Sequence, residues 1–230
     1  MKKHERHLTK RDRKMLEFIV RYRIGTNQLL RCQFFPPDTS AENVNRVLQR
    51  LERRGLIRRV IAATGYSYCT VTHRTLAMLG EKPRTPRPLT EHTLPVLLAV
   101  ATYCVAKGIR RLTNREFKNL YPELWRPGMG SSSYLLVNVD GKLRLEMLLV
   151  DRGGAAHHIN SRVRRVIAQR KSMPKFLALM KCGRFRITVL TGTPEQETKI
   201  HRRLSRRSFG PIEVTTFVLP ELAELLMRRR

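Results

Sequence analysis

Four apolar side chains between residues 40 and 55 constrain the fold of this chain more than any other feature. Val44, Val47, Leu48 and Leu51 recur at three- and four-residue intervals. At 100° per residue they fall within about 100° of arc, the stripe of a helix packed against other elements. Ser40 precedes the stripe as an N-cap, with Asn43 at the third helical position, and Gly55 follows as a terminator. Residues 8–24 predict a helix ahead of it, with Thr9 and Asp12 at its start, Met15, Leu16, Ile19 and Val20 along one face, and Gly25 at its end. Thr26 is placed to cap a short second helix containing Gln28, Leu29 and Leu30, and Phe34-Phe35-Pro36-Pro37-Asp38 reads as a turn with an aromatic anchor. Beyond Gly55, residues 56–61 and 66–72 form two β-type runs around a turn at Ala63-Thr64-Gly65. A short helix is expected over 73–79.

Three helices followed by a hairpin is the order of a winged helix-turn-helix, expected over residues 1–80. Residues 81–90 hold three prolines and three basic residues, a composition that predicts a linker. Residues 91–230 alternate between element types. Helices are expected at 92–107, with Pro95 in the first turn, and at 114–120. Strands at 134–139 and 143–150 flank Asp140-Gly141, a dipeptide suited to a tight hairpin turn. A basic helix at 156–171, a strand at 184–190, a helix at 194–206, a strand at 212–218 and a helix from Pro220 into Arg228-Arg229-Arg230 complete the reading. The expected fold class is α+β: a winged helix-turn-helix followed by an α/β domain with a small mixed sheet.

Charge narrows the function. The chain has 230 residues with 46 Lys plus Arg against 18 Asp plus Glu, a formal net charge of +28. Residues 1–80 carry 17 basic and 6 acidic side chains, and the other 150 carry 29 and 12, so the excess is spread over both halves. Such an imbalance predicts a polyanionic partner, and nucleic acid is the usual one. No apolar run approaches the ~20 residues of a membrane-spanning helix. The first residues, Met1-Lys2-Lys3-His4, lead into no apolar signal stretch. A cytoplasmic protein without membrane association is therefore expected. Cys32, Cys69, Cys104 and Cys182 are spaced by 37, 35 and 78 residues, which matches no zinc signature and reads as small buried hydrophobes in a reducing compartment.

Opposite the apolar stripe of the third helix lie Glu42, Arg46, Gln49 and Arg53, flanked by Asn45 and Arg50. Arg, Asn and Gln make paired hydrogen bonds to base edges in the major groove of duplex DNA. Asn45, Arg46, Gln49, Arg50 and Arg53 are therefore candidate base-reading residues. Thr26, Asn27, Arg58 and Arg59 are candidates for the DNA backbone. In the second half Arg162, Arg164, Arg165, Arg170 and Lys171 crowd one helix, and Arg202, Arg203, Arg206 and Arg207 another. Acidic partners four residues away are missing, so this charge is not intrahelical pairing. Arg162, Arg164, Arg165, Arg202, Arg203 and Arg206 join the backbone-contact set. The expected partner is double-stranded DNA, with a homodimer or other proteins of a replication, transfer or transcription complex beside it.

Residues 8–79 resemble the N-terminal region of the replication-relaxation family, found on plasmids and integrating elements. The likeness lies in Leu8-Thr9-Lys10-Arg11-Asp12, in Phe34-Phe35, and in the run from Val47 through Arg53-Arg54-Gly55-Leu56-Ile57. It extends to Leu148-Leu149-Val150-Asp151-Arg152-Gly153. The resemblance implies a restriction-endonuclease-like second domain. An active member of that fold needs an acidic residue on one strand and an acidic-x-Lys group on the next, so that carboxylates hold Mg²⁺ and the Lys helps position water. Gly130-Ser131-Ser132-Ser133-Tyr134 supplies no carboxylate, Glu146-Met147-Leu148 lacks the Lys, Asp140 sits in a turn, and Asp151 is followed by Arg152-Gly153. Glu146 and Asp151 are five residues apart, which alternation assigns to opposite faces of a strand. His157-His158 reads as two diverging surface side chains rather than a metal site. No catalytic residue, metal or cofactor is expected. A metal-dependent nuclease using Glu146 and Asp151 is the enzymatic alternative, and an RNA- or ribonucleoprotein-associated factor is the other.

Overall fold

The computed structural model describes residues 8–82, 88–127, 129, 133–139, 141–206 and 209–227. Residues 83–87 of the expected linker lie outside them, as do Gly130, Ser131, Ser132, Asp140, Arg207 and residues 228–230. The fold is mixed α+β with two small sheets. The chain divides into two compact units, Met1–Ala101 and Thr102–Arg230.

In the first unit α1 (Lys10–Tyr22), α2 (Asn27–Phe34) and α3 (Ala41–Arg53) precede an antiparallel hairpin of β1 (Ile57–Ile61) and β2 (Ser67–Val71), and α4 (His73–Met78) follows. The helix starts are locally encoded. The Thr9 hydroxyl accepts from the Asp12 N–H while the Asp12 carboxylate accepts from the Thr9 N–H, and Thr26 and Ser40 cap α2 and α3 through the N–H groups of Leu29 and Asn43. Met15, Leu16, Ile19, Leu30, Val44, Leu48 and Leu51 are buried at the centre, each worth about 1.5–3 kcal/mol of apolar transfer. Val47, expected on the core stripe, is half-buried at its margin.

One boundary differs from expectation for a physical reason. α1 ends with Arg23 at φ 63°, two residues before the expected Gly25. Gly25 instead exchanges backbone hydrogen bonds with Cys69 at 3.0 and 2.7 Å. A Cβ on Gly25 would lie 2.9 Å from Ile19 Cγ1 and 3.0 Å from Cys69 Sγ. This glycine serves a close approach between α1, its following loop and β2, not a helix stop.

α5 (Leu94–Ala106) contains the dividing point of the two units. The second unit continues with α6 (Asn114–Leu120), β3 (Ser133–Val139), β4 (Lys142–Val150), α7 (Ala156–Lys171), α8 (Pro174–Lys181), β5 (Phe185–Thr191), α9 (Pro194–Ser205), β6 (Glu213–Val218) and α10 (Pro220–Met227). The sheet order is β3-β4-β5-β6, with β3 antiparallel to β4 and the other pairs parallel. Leu145, Met147 and Leu149 of β4 and Phe185, Ile187 and Val189 of β5 share one core cluster with Ile159, Val163, Val166 and Ile167 of α7 and Ile200 and Leu204 of α9. Crossover helices on a sheet face require such a stripe. No element was expected between 171 and 184, where α8 forms. Its pattern is one pair, Phe176 and Met180, both fully buried, behind a proline at the helix start.

Arg170, expected among the exposed cations of α7, is buried. Its guanidinium donates to the Tyr134 hydroxyl at 2.9 and 3.2 Å and lies over the Phe176 ring. The helical period turns residue 170 toward the sheet with Val163 and Val166, which a count of charges along the helix does not register.

Candidate nucleic-acid interface

α3 sets out the first cluster of candidate residues. With Val44, Leu48 and Leu51 buried, Glu42, Arg46, Gln49 and Arg53 are exposed on the other side. Arg46 lies 2.6 Å from Glu42 one turn earlier, an exposed pairing worth ~0.3–0.5 kcal/mol and readily exchanged. Among the described residues Gln49, Arg53 and Arg58 of β1 have no side-chain partner. These are two guanidinium groups and one carboxamide whose donors and acceptors no described residue engages.

The remaining candidates of this unit are engaged within the protein. Arg50 donates to both carboxylate oxygens of the buried Asp12, at 2.7 and 2.8 Å. Asn45 Oδ1 accepts from Asn27 Nδ2 at 2.6 Å, joining α3 to α2. Arg59 donates to the Asn45 carbonyl at 3.1 Å and pairs with Glu52 at 3.3 Å, joining the hairpin to α3. Thr26 is buried and occupied as the α2 cap. Arg50, Arg59 and the Asn45–Asn27 pair hold α3 against α1, β1 and α2, while Thr26 serves its own helix. The partners of Arg50 and Asn45 lie 38 and 18 residues away, so helical periodicity alone could not separate these two from the free residues of α3.

The hairpin tip has a different character. Residues 60–72 contain no Asp, Glu, Lys or Arg, and Ile61 is 75% exposed.

In the second unit Arg164, Arg165, Arg202, Arg203 and Arg206 are exposed. Arg162 is half-buried and donates to the Val150 carbonyl at 3.2 Å. Burial, with Arg152 and Arg165 close by, lowers its affinity for a proton. His157 and His158 do not diverge as expected, since their rings lie 4.0 Å apart at the start of α7.

The two carboxylates weighed for catalysis sit apart. Glu146 is fully buried. It accepts from Tyr103 at 2.8 Å and twice from Arg186, at 2.6 and 3.0 Å. Burial and this carboxylate together push the Tyr103 phenol well above its ordinary range. Asp151, at the carboxyl end of β4, accepts from Gln196 Nε2 at 3.0 Å, and Gln196 also donates to the Gly154 carbonyl. Burial raises the Asp151 carboxyl, while the bonds from Gln196 and the Gly153 N–H act against that. Among the described residues no group of three or more His, Cys, Asp and Glu side chains is arranged to hold a metal ion, and no helix is long and apolar enough to cross a membrane.

No protein-family model, curated protein or solved structure matches this chain.

Proposed function

We propose that this chain is a non-catalytic protein that binds double-stranded DNA, with its first unit acting as a winged helix-turn-helix and α3 as the recognition helix. The observation that carries the reading is the exposed face of α3, where the only engagement among Arg46, Gln49 and Arg53 in the described residues is the surface pair of Arg46 with Glu42. Arg46, Gln49 and Arg53 stand exposed on a helix whose opposite stripe is locked into a core, and Arg58 follows on β1 without a partner. A recognition helix needs this division of labour, because base contacts require side chains that folding has not already used. The net charge of +28 supplies sequence-independent attraction to phosphate.

The biological role follows the resemblance to the replication-relaxation family: a transcription regulator or an accessory factor in replication, transfer or processing of DNA on a mobile element, working as a homodimer or with proteins of such a complex.

The test is a titration of duplex DNA against RNA of equal length over a range of salt. The affinity is expected to fall steeply with salt, by about 0.9 logarithmic units per tenfold salt for every phosphate neutralised, and duplex DNA is expected to compete best. A flat salt dependence overturns the reading, and a preference for RNA replaces it with the ribonucleoprotein alternative. Protection of DNA flanking the gene would then identify the site.

A further inference from the structure

α7 and α9 pack against each other and against the same face of the sheet. Their inward stripes are apolar. Outward, Arg164, Arg165 and Lys171 on α7 and Arg202, Arg203 and Arg206 at the end of α9 are all exposed. Among the described residues none of the six side chains makes an ion pair or a hydrogen bond. The acidic residues of α9 stand in its first turn, Glu195 and Glu197, where negative charge suits the helix dipole. Glu197 is occupied by the Thr216 hydroxyl at 2.9 Å. Cations at this density repel one another in the free protein.

We infer that this α7–α9 surface grips the backbone of a nucleic acid without reading its sequence. Three features select a backbone over other anions. The cations spread over two neighbouring helices instead of converging on one point, so the surface fits an extended anion better than a single phosphate. The α7 row from Arg164 to Lys171 spans about 10 Å at the helical rise of ~1.5 Å per residue. A duplex carries about one phosphate per 1.7 Å of axis, or about six over that length. Finally, the surface is poor in groups that read bases. Of the two carboxamides on α7, Gln169 accepts from Arg170 at 3.1 Å, and Asn160 is half-buried a turn ahead of Arg164. An acidic polypeptide is less suited, because its charges are not held at a fixed spacing.

This inference is independent of the base-reading role given to α3, and the experiment separates the two. The full chain is prepared with Arg164, Arg165, Arg202 and Arg203 all changed to Gln, and in parallel with all four changed to Lys. Binding to three unrelated duplex DNAs, a duplex RNA and poly-glutamate is measured by anisotropy at several salt concentrations. The Gln variant is expected to weaken on all three DNAs by the same factor. Its salt slope should shrink by up to 3–4 for four lost contacts, at about 0.9 per phosphate. The Lys variant, which keeps the charge, should retain the slope. Equal losses on duplex RNA identify the shared polyphosphate backbone as the ligand, and losses on DNA alone narrow it to B-form duplex. An unchanged slope in the Gln variant overturns the proposal, as does a loss seen only on poly-glutamate. If the wild-type chain shows no preference among DNA sequences but the slope still shrinks, the α3 reading fails and this one stands. All four side chains are exposed, so matching thermal melts are expected. Should the melts differ, the double variant Arg202→Gln with Arg203→Gln gives the same readout at half the amplitude.

Discussion

Arg50 on α3 and Asp12 on α1 form a pair in which one guanidinium nitrogen serves both carboxylate oxygens, at 2.7 and 2.8 Å. Asp12 has no exposed surface, and its other contact is the cap of its own helix. One residue therefore closes the first turn of α1 and anchors the middle of α3. Removal of Arg50 leaves a buried carboxylate short of a donor. Arg50→Ala is expected to cost about 1–3 kcal/mol. Asp12→Ala should cost a similar amount, and the double variant less than the sum, since the two share one interaction. Arg50→Lys should recover part of the loss, because a single nitrogen makes the whole contact and an ammonium carries the same charge on one donor atom. Denaturant midpoints of the four proteins measure the coupling, and strictly additive losses would contradict it.

The free and engaged residues of the interface should behave differently in binding. Arg46→Ala or Gln49→Ala is expected to reduce discrimination at one base position by about 1–3 kcal/mol, at a cost in stability of no more than the ~0.3–0.5 kcal/mol of the exposed Arg46–Glu42 pair. Arg58→Ala should weaken all duplexes about equally, as a phosphate contact does. Competition among a panel of single-base variants of the bound site measures both. Unchanged discrimination in Arg46→Ala would show that α3 does not face the bases.

Incubation with bound duplex in Mg²⁺, and separately in Mn²⁺, is expected to leave the DNA intact. Glu146 is held by Tyr103 and Arg186, whereas Asp151 is held by Gln196, so the two carboxylates do not converge. Glu146→Ala should instead cost stability, about 3–5 kcal/mol, by stranding Arg186 beside a vacated buried site. Cleavage that disappears in both Glu146→Ala and Asp151→Ala would revive the nuclease alternative.

Thiol chemistry offers a check on the first unit's core. Cys69 is buried, and burial pushes its thiol from 9.0 up to about 12. The folded state thus keeps a proton that the unfolded chain releases at lower pH. This contribution is complete below pH 9 and declines as the pH rises toward 12. Cys104 is buried like Cys69, as expected of small apolar side chains, whereas Cys32 and Cys182 are exposed, against that expectation. A thiol reagent at neutral pH should modify two cysteines rapidly and the other two only on unfolding. Rapid reaction of Cys69 in the native protein would mean that the Gly25–Cys69 contact is open in solution.

What was legible in the sequence is what repeats locally. The stripe of α3, the caps at Thr9, Thr26 and Ser40, and the bounds of α7 follow from spacing and side-chain chemistry within a few residues. Glycine was less informative, because Gly25 answers to Ile19 and Cys69 rather than to the helix it follows. α8 escaped notice because eight residues with two core positions carry almost no periodic signal. The division of candidate residues into free and engaged was also hidden. Arg50 and Arg46 look alike on a helical wheel. What separates them is an aspartate 38 residues from Arg50, brought near only when α1 and α3 pack.

The close approach of α10 to the loops after β4 and β5 has a consequence for how this fold can evolve. A Cβ on Gly192 would lie 2.9 Å from the Ala223 backbone, and one on Gly153 would meet Leu226 at 3.7 Å. The carboxyl ends of parallel strands are where α/β sheets commonly open a crevice for small ligands. Here the chain lays its own helix against those two loops. New recognition in this unit is thus more accessible by changing side chains on its outer helices, where a substitution disturbs no packing, than by carving a pocket at the strand ends, where Gly192 has no room for even one methyl group.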